Sequence, residues 1–578
     1  MRISRKLLAI AGGLMLAIPA GSAVGTTSSA EEPAFQAGDI EHVASVGGFS
    51  GSDIEFASRE VTKLSEGATG EPVCTRDAAG ACLVDASGDP VLETEVRDFA
   101  IAGGYGTHAR IIDITDPRNP VLVGLTPCSI SQNDIQIQGD LLLVAADGNG
   151  SCRREDGGNQ PFAGTAVLDF SDPRNPTYIS RLTYSRGSHN HTFVPGKPVV
   201  YLSDSDVASA ALGNIPIWDL ADPANPVMKF EFKFGAHSPH DITFNADGTR
   251  AYVAAVSLTY ILDTTDPFAP EMISVIPNEG VSISHQSDPT PDGDYLLVSD
   301  ELGGGAAGIS PGGAIHVYDI RDETRPIKVG LIENDCVQML CHSAADVPAT
   351  ATSHVFRINP DGYTMAIAWY KDGLGVIDYS SIRAANVGGS GTNSKFGAKV
   401  IGWITMPNAN TWAAKMWMER HPGYVFTNDI RRGFDVFYVS SMGPGFLARG
   451  TIGAAHTANW LAGTGVTRTE FESDCQYTPR TNGVDGWVTK IPAEFAGGLH
   501  TLHAKAADEG LGLRDMDIYF YDKDCSVLEA VELGDTDTMG VIPEGTAYAM
   551  VTNCGVFAAQ ACTTGESIAL SLSVTETG

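Results

Sequence analysis

The chain has 578 residues, with 37 Lys and Arg against 70 Asp and Glu, a formal net charge of −33. That excess of carboxylate excludes nucleic acid, whose phosphates demand basic residues, and disfavours an anionic membrane surface. Apolar content of 43% with 19% charged residues describes a globular chain, and the length exceeds one ordinary core, so at least two domains are expected.

The first thirty residues read as a secretory signal peptide. Arg2, Arg5 and Lys6 precede the apolar run Leu7 to Ala20, and the small residues Gly21, Ser22 and Ala23 follow. No later apolar run is long enough to span a bilayer. The expected product is secreted, extracellular or cell-surface associated, without membrane insertion, and monomeric. Ten cysteines suit an oxidising compartment. Cys74 with Cys82, Cys128 with Cys152 and Cys336 with Cys341 form close pairs, while Cys475, Cys525, Cys554 and Cys562 allow three connectivities.

From residue 40 to 445 one phrase returns. It reads Ile111-Ile-Asp-Ile-Thr-Asp-Pro-Arg-Asn-Pro120, then Val167-Leu-Asp-Phe-Ser-Asp-Pro-Arg-Asn-Pro176. Copies follow at Ile217 to Pro226 and Ile261 to Pro270, with degenerate ones at Val317, Val376 and Phe434. A period of this size belongs to a four-stranded propeller blade. Within a unit, His240 to Phe244 is a first strand, Asn245-Ala-Asp-Gly248 a hairpin turn, and Ala251 to Val256 the second strand. Tyr260 to Asp263 is the third, and the Asp-Pro-x-x-Pro turn reverses the chain into Glu271 to Val275. Proline fixes φ there, and the aspartate can accept from the turn's backbone N–H groups.

First strands near Asp53, Asp134, Asn190, Asp241, Gln286, Val355 and Lys415 make seven blades. His42 to Gly48 resembles a fourth strand and is expected to complete the last blade, closing the ring. Blade one carries an insertion at about 57–96. The phrases at Arg110 to Pro117 and Ala166 to Pro173 resemble LVIVD repeats. The resemblance implies a β-propeller and supplies no activity. Residues 446–469 read as a linker. Residues 470–578, with Asp515 to Asp522 and Pro543 to Val551 as strands, resemble the pre-peptidase C-terminal β-sandwich of secreted bacterial proteins. The expected fold is all-β: a seven-bladed propeller followed by a small sandwich.

His189, His240, His285 and His354 recur at one position of four successive blades, the start of the innermost strand. Gly248, Gly293 and Gly362 each follow their histidine by the same offset, and His189 precedes Tyr201 as His240 precedes Tyr252. Imidazoles converging on the channel mouth can bind copper, zinc or iron. Ser52 and Asn133 hold the matching places in blades one and two. Asp134, Asp204, Asp241, Asp300 and Glu301 are expected as ligand-binding or imidazole-orienting carboxylates. The competing reading is a structural histidine copied with its repeat.

Other signals are weaker. Gly308-Ile-Ser310-Pro-Gly312 matches a nucleophile elbow but lacks its strand-to-helix setting. Asp147-Gly-Asn-Gly-Ser151 resembles a fragment of a calcium loop, so calcium in acidic loops is a second cofactor expectation. His191 and His237 lie beside the main set, while His342, His500 and His503 read as peripheral. Three functions stay open. One is binding of a small-molecule, glycan or protein ligand at the mouth. Another is a metal-dependent oxidoreductase or hydrolase, and the third a cell-surface scaffold or adhesion protein.

Overall fold

The computed structural model describes residues 27–65, 71–78, 80–132, 134–184, 187–203, 213–233, 239–278, 280–301, 313–334, 351–360, 363–380, 382, 398–444, 446–452, 486–491, 495–506, 516–524, 526–535, 537–553 and 568–576. Outside them fall residues 1–26 of the segment read as a signal peptide, Asn133, Asp204, His237, Ser310, His342 and six of the cysteines: Cys336, Cys341, Cys475, Cys525, Cys554 and Cys562.

Seven antiparallel blades surround a channel. Blades three, four and five are each a separate four-stranded sheet. Their inner strands are His191–Phe193, Asp241–Phe244 and Ser284–Pro289. Blades one and two are joined, because the strand Val121–Gln132 continues past blade one and pairs Cys128 with Cys152 of blade two. Blade six, inner strand Phe356–Ile358, takes Phe35–Gly38 as an added outer strand. Blade seven, inner strand Thr411–Met416, receives Glu41–Val46 beside Gly433–Tyr438, so the N-terminal strand closes the ring as expected.

The repeated phrase explains each blade's outer half. In the Asp-Pro turns, Asp116, Asp172, Asp222 and Asp266 each accept a backbone N–H from two residues on, at 3.0, 3.0, 3.1 and 3.0 Å. The earlier aspartate of the phrase does the same, as at Asp113, Asp169, Asp219 and Asp263. The Asn of the turn donates to its aspartate, at 2.8 Å for Asn119 and 2.9 Å for Asn175 and Asn225. The phrase is thus two overlapping side-chain-capped turns, satisfying N–H groups that a reversing strand leaves unpaired. Every fourth strand also carries one extra residue opposite the phrase's apolar pair: Val123, Ile179, Lys229, Ile273, Val329, Ile401 and Val43. A bulge at one place in all seven blades increases local twist there.

The insertion in blade one is a β-arm. It continues the hairpin Gly51–Thr62 and Thr94–Asp113 through bridges at Cys74 with Leu92, Arg76 with Cys82 and Val84 with Pro90. The Cys74–Cys82 and Cys128–Cys152 disulfides are both formed, with Cα atoms 5.5 and 4.0 Å apart.

Beyond the propeller two four-stranded antiparallel sheets face each other, as expected of a sandwich. Phe446–Ile452, inside the segment read as linker, is a strand of the first sheet and pairs with Ile568–Glu576. Buried Leu502, Ile518 and Val574 of the sandwich belong to one apolar cluster with Tyr363, Tyr379 and Trp403 of blade six. No helix among the described residues is long and apolar enough to cross a membrane.

Candidate metal centre at the channel mouth

The four repeat histidines stand side by side. Ring centroids are 4.2 Å apart between His189 and His240, 4.3 Å between His240 and His285, and 4.0 Å between His285 and His354. Each is at most 8% exposed. The blade geometry dictates the arc, since each histidine sits at the entry of an inner strand and adjacent inner strands are neighbours around the channel.

Two of the imidazoles are oriented by the next blade. His240 Nδ1 donates to the His285 carbonyl at 3.1 Å, and His354 Nδ1 donates to the Trp412 carbonyl at 2.6 Å. A proton on Nδ1 leaves the Nε2 lone pair available to a metal. Burial, reinforced by neighbouring imidazoles, holds the pKa of His240 and His285 well below the ordinary histidine value. Burial likewise takes His354 down to about 3. Neutral imidazole is the metal-binding form.

Glu301, at the end of blade five's second strand, completes the group. Its two carboxylate oxygens lie 3.9 Å from His285 Nε2 and 3.9 Å from His354 Nε2. Among the described residues, His240, His285 and Glu301 form the group whose ligand atoms all lie within 4.8 Å of one another. Ligands bound at about 2.1 Å lie roughly 3.0 to 4.2 Å apart as their angle opens from 90° to 180°, and the 3.9 Å gaps fall inside that range. Tyr370 donates its hydroxyl to Glu301 at 2.8 Å. Burial raises the Glu301 pKa, opposed by that hydrogen bond. Tyr370 adopts φ of +47°, a rare conformation for a non-glycine residue, at the strand end that presents it to Glu301.

The remaining sequence candidates lie elsewhere. Asp300 turns away from the imidazoles and accepts from the Ser282 and Ile283 backbones at 3.0 and 2.9 Å. Asp134 accepts the His191 backbone N–H at 3.1 Å, and Asp241 accepts that of Ile242 at 2.7 Å. Both join a buried ionic group along the channel. There Lys415 Nζ lies 2.8 Å from Asp53 and 2.8 Å from Glu55. Burial works against the Glu55 charge, yet Arg357 and Lys415 outweigh it and hold its pKa at about 2. Burial, together with Asp53 and Asp241, drives the Asp134 pKa well above the carboxylate range. His191 packs between blades, 3.2 Å from the Thr165 hydroxyl, with its pKa lowered by burial to about 3. Of the calcium expectation, the Asp147 side chain lies outside the described residues.

Two residues of the mouth were not singled out as site residues in the sequence. Trp412 of blade seven occupies the place that histidine holds in blades three to six, its ring 4.2 Å from His354. Tyr105, at the tip of blade one's central hairpin, lies 5.6 Å from Trp412.

The fold and site thus define a seven-bladed β-propeller with a buried arc of histidines at one end of its channel, joined to a β-sandwich. No family model and no curated protein matches the chain. Among solved structures it is similar to the Cps50 (Swd1) β-propeller domain of Myceliophteria thermophila, at 10% identity and a TM-score of 0.40, covering 59% of this chain and 93% of that one. It is also similar to a protein from Lactobacillus plantarum, at 12% identity and a TM-score of 0.40, covering 58% and 84%.

Proposed function

We propose that the chain is a secreted LVIVD-type propeller holding a first-row transition metal at its channel mouth and taking a small ligand there. The observation that carries this reading is the convergence of His240, His285 and Glu301 within 4.8 Å, with His189 and His354 flanking them. Nitrogen donors with one carboxylate suit iron, copper or zinc better than calcium or magnesium, which prefer all-oxygen shells. A histidine copied only for structure would not need a carboxylate from another strand beside it, nor a tyrosine orienting that carboxylate.

The donors come from blades three to six alone among the described residues, so these residues would leave a bound metal coordination positions on the side of blades seven and one. Structural metal sites are closed by protein ligands, whereas sites that bind or transform substrates keep a position open. That asymmetry favours a ligand-binding or catalytic metal over a structural one. Elemental analysis of protein purified without chelator or affinity metal tests the reading. Near-stoichiometric copper, zinc or iron is expected, and it should be lost when His240→Ala and His285→Ala are combined. Metal that persists in that variant, or protein that takes up none of the three ions, refutes it.

A further inference from the structure

Resting on the metal-centre reading, we propose that the ligand taken at this mouth is a flat aromatic molecule bearing an oxygen donor, of the phenol or catechol class. It lies against Trp412 and Tyr105 while its oxygen reaches the metal. The arc of imidazoles ends at His354, and the next blade supplies not a fifth histidine but Trp412, whose carbonyl accepts the His354 Nδ1 proton. From there the rim is aromatic. Tyr370 lies 4.7 Å from His354 and 6.0 Å from Trp412 at an interplanar angle of 88°, and Tyr105 meets Trp412 at 5.6 Å and 70°. An edge-to-face contact occupies a face of only one of its two rings, and a further aromatic ring can pack on a face that remains.

Exposure separates this wall from core packing. Trp412 is only partly buried although its ring lies beside the buried His354, and Tyr105 is 42% exposed. The wall occupies the side of the mouth from which, among the described residues, no metal donor comes. An external ligand completing the metal's shell would take the positions on that side. A divalent ion beneath the wall makes the local charge positive, which disfavours an organic cation despite the aromatic rings. An aliphatic ligand would leave the rings without stacking partners.

The test uses the full mature chain loaded with zinc, which has no redox chemistry to consume the probe. Titration with 4-nitrocatechol is followed by its visible absorbance, with zinc content measured on the same samples. The expected result is saturable binding with an absorbance shift. Tyr105→Ala and Trp412→Ala should each weaken it about tenfold, the size usual for a lost aromatic contact, with zinc content unchanged. Tyr105→Ala alters an exposed hairpin tip, so it keeps the test valid if Trp412→Ala fails to fold. Zinc-loaded protein that ignores 4-nitrocatechol, or binds it equally well in Tyr105→Ala, overturns the proposal while leaving the metal centre standing. Equal affinity for cyclohexane-1,2-diol, or preference for benzyltrimethylammonium, overturns it as well. Failure to retain zinc, copper and iron alike overturns both readings.

Discussion

Asp288, in the channel wall below the histidines, accepts from the Thr243 hydroxyl at 2.7 Å and the Gln286 amide at 2.9 Å. Burial nonetheless pushes its pKa up to about 6. An unfolded aspartate ionises near 3.9. Below that pH both states are protonated and the group is neutral toward stability. Between about 4 and 6 the unfolded chain sheds its proton while the folded chain keeps it, so stability falls as pH rises through this window. Above 6 the loss is complete, at most about 3 kcal/mol. Asp288→Asn should therefore raise the melting temperature at pH 7 and leave it unchanged at pH 4. Equal melting of the two proteins at pH 7 would show that the wall solvates this carboxylate well. At the same scale, the four histidines were legible because duplication keeps a side chain at one offset, from a turn glycine for His240, His285 and His354 and from a strand tyrosine for His189 and His240. Trp412 was not, because blade seven's first hairpin is longer and its turn glycine, Gly423, falls at a different offset. The roles of Glu301 and Tyr370 depend on contacts between adjacent blades, which no spacing within one repeat encodes.

The blade itself was the most legible element. Its phrase names the two aspartates and the proline that a reversing strand needs, and those are local demands that sequence states directly. The bulge opposite the phrase was invisible, because an extra residue in a β-branched run leaves no mark in composition. The join between blades one and two was visible only as a cysteine pair. Cys128 and Cys152 face each other across two strands and are separated by 24 residues. Closing a loop of that size restricts the unfolded chain by about 3 kcal/mol in the entropic account. Replacing both with serine should lower the denaturation midpoint accordingly, and reductant should then have a smaller effect than on the parent. Since Cys128 and Cys152 are both fully buried, a destabilisation well above that figure would mean that packing around the sulfurs contributes too.

At the scale of the molecule, the ring is held shut by the chain's own N-terminal strands. Glu41–Val46 pairs with Gly433–Tyr438, and Phe35–Gly38 pairs with Lys399–Thr405, so one short segment caps the outer edges of blades six and seven. Val43, Ala44 and Val46 are buried there, and His42 bonds Asp435 at 3.0 Å beneath the strand. Removing residues 27–47 would expose those apolar surfaces and bare two sheet edges, costing about 3 to 6 kcal/mol from the valines alone. The seam lies along the outer strands of blades six and seven, whereas the proposed metal donors sit on the inner parts of blades three to six, with only His354 on a blade that the seam touches. The truncated protein should consequently melt at a lower temperature and be cleaved by protease within residues 411–438, yet still retain metal under native conditions. Adding a peptide of residues 27–47 should restore protection. If the truncated chain melts like the parent, closure is maintained by the contacts between inner strands. If instead it loses its metal along with its seam, the histidine arc depends on tension around the whole ring rather than on the blades that carry it.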